Sequence, residues 1–165
     1  MKTVLDSLRL IVRDLRLSAR DAERAAHTTG AQLFVLQQLH EGGTLSLGEL
    51  AERTMTDQSS VSVVVKKLVA AKLVARKPSQ ADARRLELSL TAAGKKLLAR
   101  CPEPTQVRLV AALKRLAPAE AEGLTSGLAA LVREMGLESG TPPMFFEEGS
   151  RAVARTRNKS RSRRS

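Results

Sequence analysis

The sequence has few aromatic residues: three Phe, no Tyr and no Trp among 165 residues. A buried core must therefore consist mainly of Leu, Val and Ala, which is typical of helical proteins. Proteins that bind RNA or single-stranded DNA commonly stack the bases on aromatic side chains. The shortage of aromatic residues argues against a binder of this kind.

Cysteine and histidine are also scarce. Cys101 is the one cysteine, which excludes an internal disulfide, and there are two histidines. These residues lie far apart and give no zinc-ligand spacing, and the sequence contains no Gly-rich phosphate loop or nucleophile elbow. The sequence therefore predicts no metal, no cofactor and no enzymatic activity.

Long apolar runs are missing, since none approaches the about 18 residues that a membrane-spanning helix needs. The N-terminal stretch carries charges throughout, which is typical of an amphipathic helix rather than a signal peptide. We therefore predict a cytoplasmic protein without a membrane contact.

Basic residues are in excess and unevenly distributed. The net charge is +11, from 28 basic and 17 acidic residues. Residues 150–165 contain seven basic residues and no acid, and residues 72–100 contain eight basic residues and two acids. Two basic regions, one inside the fold and one in the tail, indicate a polyanionic partner, most often nucleic acid. Charge alone leaves a solubilising surface as the alternative.

Hydrophobic periodicity predicts four helices in the first part of the chain. Ser46 and Glu49 have the spacing of a capping box at the start of the third helix. Only Met55 and Thr56 separate the third helix from the fourth, which is a helix-turn-helix arrangement, although helical hairpins without a DNA function share it. The predicted helices cover residues 3–22, about 33–39, 47–54 and about 57–71.

The fourth helix has two different faces. A buried stripe is predicted at Val61, Val64, Val65 and Leu68. The opposite face presents Gln58, Ser59, Ser62, Val63 and Lys66. Small hydroxyl groups and an amide can approach base edges and form hydrogen bonds there, and the helix dipole favours phosphate. A structural helix would more often expose Glu and Lys, so this face predicts a DNA recognition helix.

Two short strands, residues 73–77 and 86–90, follow this helix and are joined by a polar turn. A hairpin in this position is a wing, and the alternate leucines of its second strand are expected to face the helices. Arg84 and Arg85 lie at its tip, where they can enter the minor groove. Asp82 is expected to pair with one of them and orient it. An ordinary polar turn with an incidental ion pair is the alternative.

Further helices are predicted after the wing. Thr91 can cap the next one, Pro102 and Pro104 interrupt it, and Pro118 begins the last. Residues 144–148, "MFFEE", hold two of the three Phe residues and are expected to dock on the body. The Arg/Ser-rich tail beyond them cannot form a core.

This order of elements resembles the MarR family of winged helix-turn-helix regulators over about residues 4–137. The sharpest likeness is the wing, where "DARR" and the following "LELSLTAAGKKLL" are similar to the family's Asp-x-Arg tip and Leu-Thr-x-x-Gly segment. "LSLGELAERT", "SSVSVVVKKLVAAKLVAR" and "LAPAEAEGLTSGLAALV" also lie in family order.

The predicted fold is mainly α with a small two-stranded β-wing, that is, a winged helix-turn-helix with a helical dimerisation region. The resemblance implies a homodimer held by the first and last helices. We expect an N-terminal dimerisation helix in residues 1–26, the DNA-binding domain in 27–100, dimerisation helices in 101–137, and a docking segment with a basic tail in 138–165.

The resemblance also implies a function, namely a sequence-specific regulator of transcription, by family expectation a repressor, that binds double-stranded DNA at a pseudo-palindromic operator. Matched to the family, the recognition helix uses Ser59, Ser60, Ser62 and Lys66, with Gln58 and Val63 beside them. The wing uses Arg76, Asp82 and Arg84, with Lys77 and Arg85 beside them.

Many family members are released from DNA by a small, often aromatic or phenolic, anion. Arg13 or Arg16, with His27 or His40 nearby, could bind a carboxylate. The alternatives are arginines on a solvated helix face and histidines with an ordinary structural role.

The chain departs from the family pattern at several positions. Lys72 stands where many members have Gly, which predicts a different exit from the fourth helix. Pro102 and Pro104 break a helix that is often continuous. Cys101 does not match the cysteine of peroxide-sensing members, so we expect it to pack as a small apolar residue.

An alternative function is compatible with the same fold. The protein would then be an architectural DNA- or RNA-binding protein that binds by charge, mainly through the basic tail, and does not recognise a base sequence. This alternative predicts that removing residues 150–165 abolishes binding while changes in the wing and the fourth helix have no effect.

Overall fold

The computed structural model describes residues 2–79, 85–138 and 141–147, and within them it forms seven helices and one three-stranded antiparallel sheet. The predicted mainly α winged-helix fold is confirmed. The helices are α1 (Lys2–Ala26), α2 (Gly30–Gly42), α3 (Leu47–Thr54), α4 (Gln58–Ala70), α5 (Ala92–Leu98), α6 (Thr105–Arg115) and α7 (Pro118–Glu134). The strands are β1 (Leu45–Ser46), β2 (Val74–Pro78) and β3 (Leu86–Leu90).

The core lies where α2, α3, α4 and the sheet meet. Helix α2 is buried around most of its circumference, with Leu33, Leu36 and Leu39 almost fully enclosed. Leu50 of α3 and Leu68 of α4 are completely buried against it. Burial of each such side chain contributes about 1.5–3 kcal/mol, so these contacts stabilise the position of α3 and α4 against α2.

Two helices begin with capping boxes. At α3, the Ser46 hydroxyl accepts from the Glu49 amide (3.3 Å), and the Glu49 carboxylate accepts from the Ser46 amide (2.7 Å), as predicted. Thr29 and Gln32 form the same arrangement at α2, a Thr-x-x-Gln signal that the sequence analysis missed. Hydrogen bonds from the side chain and then the backbone of Ser46 lower the pKa of Glu49, and the positive charge of Arg85 contributes less.

We expect Ser46→Ala to lower the free energy of unfolding by about 1 kcal/mol, because a free amide at the start of α3 loses its acceptor. The folded-state pKa of Glu49 lies below its unfolded value. The contribution of the Glu49 carboxylate is therefore present above the unfolded pKa and is lost as the pH falls through the folded pKa, whereas the bond from the Glu49 amide to the Ser46 hydroxyl does not titrate. Urea unfolding at pH 7 and at about pH 3 measures both effects. Thr44→Ala, which alters an exposed hydroxyl two residues earlier, should change little at either pH.

The sheet has the order β1-β3-β2. Strands β2 and β3 form the predicted hairpin, in which Val74 pairs with Leu90 and Lys77 with Glu87. The sheet has a third strand that the sequence does not predict, because Leu45 pairs with Leu88 and adds β1 on the other side of β3. A two-residue strand is too short to show an alternating pattern, so no local signal marks it.

The leucines of β3 are buried to different extents. Leu88 is 3% exposed and Leu90 is partly buried, but Leu86 is 38% exposed. Leu86 still faces α4, since it lines one cavity with Leu88 and residues of that helix, but it is covered less than the other two leucines. Leu86 pairs with Pro78 at the outer end of the hairpin, whereas β1 pairs only with Glu87 and Leu88 of β3.

Helix α4 ends in a left-handed residue. Lys72 has a φ of 59°, and the Leu73 amide donates to the Leu68 carbonyl at 2.9 Å. This is the closing turn that glycine adopts most easily at a helix end. The different exit expected from the Lys72 substitution is therefore not observed.

Prolines separate the later helices as predicted. Pro104 occupies the N-cap of α6, and Pro118 is the first residue of α7. Helix α6 is tied to α1 through Asp14, whose carboxylate accepts from Arg108 (2.6 Å) and from the Thr105 hydroxyl (3.1 Å). The break at the prolines thus leaves α6 packed beside α1.

Helices α1 and α7 leave large apolar side chains uncovered. None of the residues of α7 is buried. Contiguous exposed apolar surface of this kind marks an interaction site in soluble proteins. The exposed residues are Val4, Leu5, Leu10, Ile11, Val12 and Leu17 on α1, and Leu124, Leu128, Leu131 and Val132 on α7.

Candidate nucleic-acid interface

Helix α4 has the two faces that its sequence predicts. Its apolar stripe is buried in the core, at Val61, Val64, Val65 and Leu68. Gln58, Ser59, Val63 and Lys66 are exposed, and Ser62 is half-buried. The exposed face therefore combines hydroxyl and amide groups with one ammonium group, all of which can donate hydrogen bonds to base edges or phosphates.

The resemblance predicts that Ser60 contacts DNA, but the structure buries its side chain. The residue is 7% exposed, and its hydroxyl donates to the carbonyl of Pro142 at 3.0 Å. Ser60 precedes Val64 by one helical turn, so it shares the buried face of the helix. That spacing was visible in the sequence.

A groove of about 640 Å³ runs between α4, the start of α3 and the wing. Its lining from α4 includes Gln58, Ser62 and Lys66, and its lining from the wing region includes Arg76 and Arg85. Among the described residues that line it there are three cations and no carboxylate. The helix face and the wing thus share one positively charged concave surface, whose field favours a polyanion.

The wing supplies the cations on one side of this groove. Arg76 and Lys77 are exposed on β2, and Arg85 is exposed just before β3. Asp82 and Arg84 lie outside the described residues, so their predicted pairing stays a prediction.

The four candidate ligand residues lie on exposed surface outside the lining of the groove: Arg13, Arg16, His27 and His40. A smaller cavity of about 110 Å³, between α2, the turn after α3, and α6, is also lined by other residues. Its walls are mainly apolar, with Phe34, Leu109, Val110, Leu113 and Met144 among them.

Cys101 is partly buried and packs against the core. Desolvation raises the pKa of its thiol, so the thiolate fraction at neutral pH is smaller than in an exposed cysteine. Its environment fits the predicted role of a small apolar residue better than that of a reactive thiol.

The described residues contain no group of three His, Cys, Asp or Glu side chains that could hold a metal ion. None of their helices has the length and hydropathy to cross a membrane.

Comparison with known proteins identifies relatives of this chain. Residues 28–85 match the model of the MarR family. The HTH-type transcriptional repressor MdtR of Bacillus subtilis is 32% identical over 94 residues, which cover 57% of this chain and 61% of MdtR. The chain thus spans about three fifths of the length of this curated relative.

Solved structures share the fold. The YusO protein from Bacillus subtilis is 26% identical with a TM-score of 0.51, over 81% of this chain and 94% of YusO. A MarR variant from E. coli, complexed with operator DNA, is 20% identical with a TM-score of 0.53, over 79% of this chain and 96% of MarR. The segment matched to the family model runs from the start of α2 through β2 to Arg85, which is most of the unit that forms the groove. Residues 28–85 of this chain are thus similar to the MarR family, and the chain as a whole shares the winged helix-turn-helix fold of these solved structures.

Proposed function

We propose that this protein is a transcriptional regulator that binds double-stranded DNA in a sequence-specific manner, as a homodimer on a pseudo-palindromic operator. Similarity to the MarR family supports the proposal, since the related MdtR is a transcriptional repressor and a MarR variant of the same fold has been solved with operator DNA. The supporting feature in this chain is the groove that α4 shares with the wing. It brings hydrogen-bonding groups and three cations to one surface.

In the proposed complex, α4 enters the major groove. Its exposed N-terminal half carries Gln58, Ser59 and Ser62, which are short enough for the helix to approach the base edges closely. Lys66 lies one turn after Ser62 and would contact a phosphate or a guanine. The buried stripe on the opposite side anchors the helix to the core, so the reading face is held rigidly.

The wing would bind the DNA backbone and the adjacent minor groove. Arg76, Lys77 and Arg85 are exposed, so their charges are free to approach phosphates. Asp82 and Arg84 remain candidates for the tip of the wing, by the family pattern. Guanidinium groups are favoured in a narrow minor groove because its negative potential is enhanced.

The proposed homodimer would use the helices outside the winged unit. The apolar faces of α1 and α7 support it, because a second copy of the chain would cover them. Two copies related by a twofold axis place two recognition helices on successive major grooves. The half-sites should then lie about 10–10.5 bp apart.

We further propose that the protein represses transcription and that a small anionic or phenolic ligand releases it from DNA. Repression would follow if the operator overlaps a promoter. Arg13, Arg16, His27 and His40 stay the candidates for an anion, and their exposure leaves them free to form such a site. Residues 1–26 and 101–137 are the proposed dimerisation regions.

Ser62→Ala tests the reading role of α4. We expect it to relax the preference for one base pair in each half-site by about fivefold, the value of one hydrogen bond of about 1 kcal/mol. Selection of bound duplexes from a random pool, compared between variant and wild type, measures the preference at every position.

Ser60→Ala is the matched control, because it removes the same hydroxyl from the buried face two residues away. The Ser60→Ala variant should prefer the same bases as the wild type. A Ser62→Ala variant that selects the same bases as strongly as the wild type would remove Ser62 from the readout.

A further inference from the structure

Residues 141–147, which we call the strap, lie across the body of the winged unit after the end of α7. Met144 is 5% exposed and belongs to the hydrophobic core, whereas its neighbour Phe145 is 59% exposed. One buried side chain therefore docks the segment. The prediction that "MFFEE" packs on the body is confirmed for Met144, but Phe145 points largely to solvent.

One edge of the strap is bonded to the recognition helix. The Ser60 hydroxyl donates to the Pro142 carbonyl at 3.0 Å, and the Lys67 ammonium contacts the Glu147 carboxylate at 3.2 Å. Ser60 and Lys67 are seven residues apart, about 10 Å along the helix. The strap thus holds α4 at its first turn and again two turns later.

Two further hydrogen bonds reach the strap from helices outside the helix-turn-helix pair. The Gln106 side chain at the start of α6 donates to the Phe145 carbonyl at 2.9 Å. The Ala31 amide at the start of α2 donates to the Phe146 carbonyl at 3.4 Å.

Gly30 permits a close approach at this point. A Cβ at residue 30 would lie 3.3 Å from the Cβ atoms of both Ala19 on α1 and Phe146. The strap is therefore packed where α1 meets α2, and its remaining contacts extend to α4 and α6.

We propose that the strap positions the recognition helix relative to α1 and α6, so that its docking sets the affinity for operator DNA. This inference rests on the proposed function. In a dimer held by α1 and the last helices, a small rotation of α4 changes the distance between two reading faces, and both must fit successive major grooves. The strap is the element that bonds to α4 and to α6 at the same time.

The strap is also suited to a two-state role. Only one of its side chains is deeply buried, and its ion pair with Lys67 is partly exposed. Segments with few buried apolar contacts open at a lower free energy than the core. A molecule or modification that favours the undocked strap would lower operator binding without touching the DNA interface.

Met144→Ser in the full-length protein is the test, with Phe145→Ser as the matched control. Both variants remove a large apolar side chain from the strap, but only Met144 is buried. Amide hydrogen exchange of the free protein should rise about tenfold across α4 in Met144→Ser. Affinity for the selected operator should fall about tenfold, while affinity for unrelated duplexes and the salt dependence stay unchanged. Phe145→Ser should stay within about twofold of the wild type in each measurement.

Ser60→Ala is the milder variant and decides the matter if Met144→Ser fails to fold. It should lower operator affinity about threefold without changing the preferred bases or unspecific binding. A faster exchange of α4 with unchanged operator affinity would overturn the positioning role, because the strap would then be structural only. If amide hydrogen exchange across α4 is unchanged in Met144→Ser, the claim that the strap restrains α4 is wrong. If the wild type selects no sequence, the proposed function fails, and the exchange measurement still decides whether the strap restrains α4.

Discussion

Replacing Leu128 by aspartate should convert the protein to a monomer and lower its affinity for a complete operator by about 10²- to 10⁴-fold, the range by which linking two binding modules raises affinity. Leu128 is 43% exposed on α7, a helix without a single buried residue. In the proposed dimer this side chain is covered by the second copy. A carboxylate placed there would lose its water without gaining a partner.

Ser126→Asp is the control for this experiment. It adds the same charge to α7, but two residues away, on about the opposite side of the helix. It should stay dimeric and bind normally. Light scattering after size-exclusion chromatography gives the mass, and fluorescence anisotropy with a labelled operator gives the affinity. A Leu128→Asp protein that stays dimeric, or a wild type that is monomeric, would contradict the proposed interface.

Removing both arginines from the groove, as Arg76→Ala with Arg85→Ala, should lower affinity for all duplexes by about 10- to 100-fold. The slope of log affinity against log salt should fall by about two, because each phosphate contact contributes close to one. Both side chains line the groove beside Lys66. The identity of the preferred bases should persist, since phosphate contacts carry no direct sequence information.

The control removes the same charge elsewhere: Arg24→Ala with Arg100→Ala. Arg24 lies in the last turn of α1 and Arg100 lies two residues after α5, and both are exposed and outside the groove lining. If this pair lowers the salt slope as much as the groove pair does, net charge governs binding and the groove has no special role. If the groove pair leaves affinity unchanged, the wing does not contact DNA.

Local chemistry explains why much of the fold was predictable. The Ser46 and Glu49 pair marks the start of α3 because its two hydrogen bonds span only three residues. The prolines at 104 and 118 mark helix starts because the ring removes a donor that a first turn does not need. The exposed face of α4 followed from the 3.6-residue period alone.

Errors arose where the answer depends on distant parts of the chain. Strand β1 exists because Leu45 meets Leu88, a partner 43 positions later, and a two-residue strand has no pattern of its own. The orientation of Ser60 could have been found from Val64, but its acceptor, the Pro142 carbonyl, could not. Sequence periodicity reports which face is buried and not which segment buries it.

The candidate site also has a part that the sequence predicts and a part that only the fold reveals. Cations near the wing were visible as a charge excess, yet only the fold brings Arg76, Arg85 and Lys66 to one groove. The anion-binding candidates rested on residue type and family analogy. They come from α1, the residue after it, and the end of α2, and the fold gathers none of them around the groove.

Selection of bound duplexes from a random pool at physiological salt, with the full-length protein, tests the central claim most directly. We expect enriched sequences that contain two inverted half-sites separated by about one helical turn, 10–10.5 bp centre to centre. Recovery of duplexes with no shared sequence, or with binding that disappears only when residues 150–165 are removed, would contradict sequence reading by α4 and favour charge-driven binding through the tail.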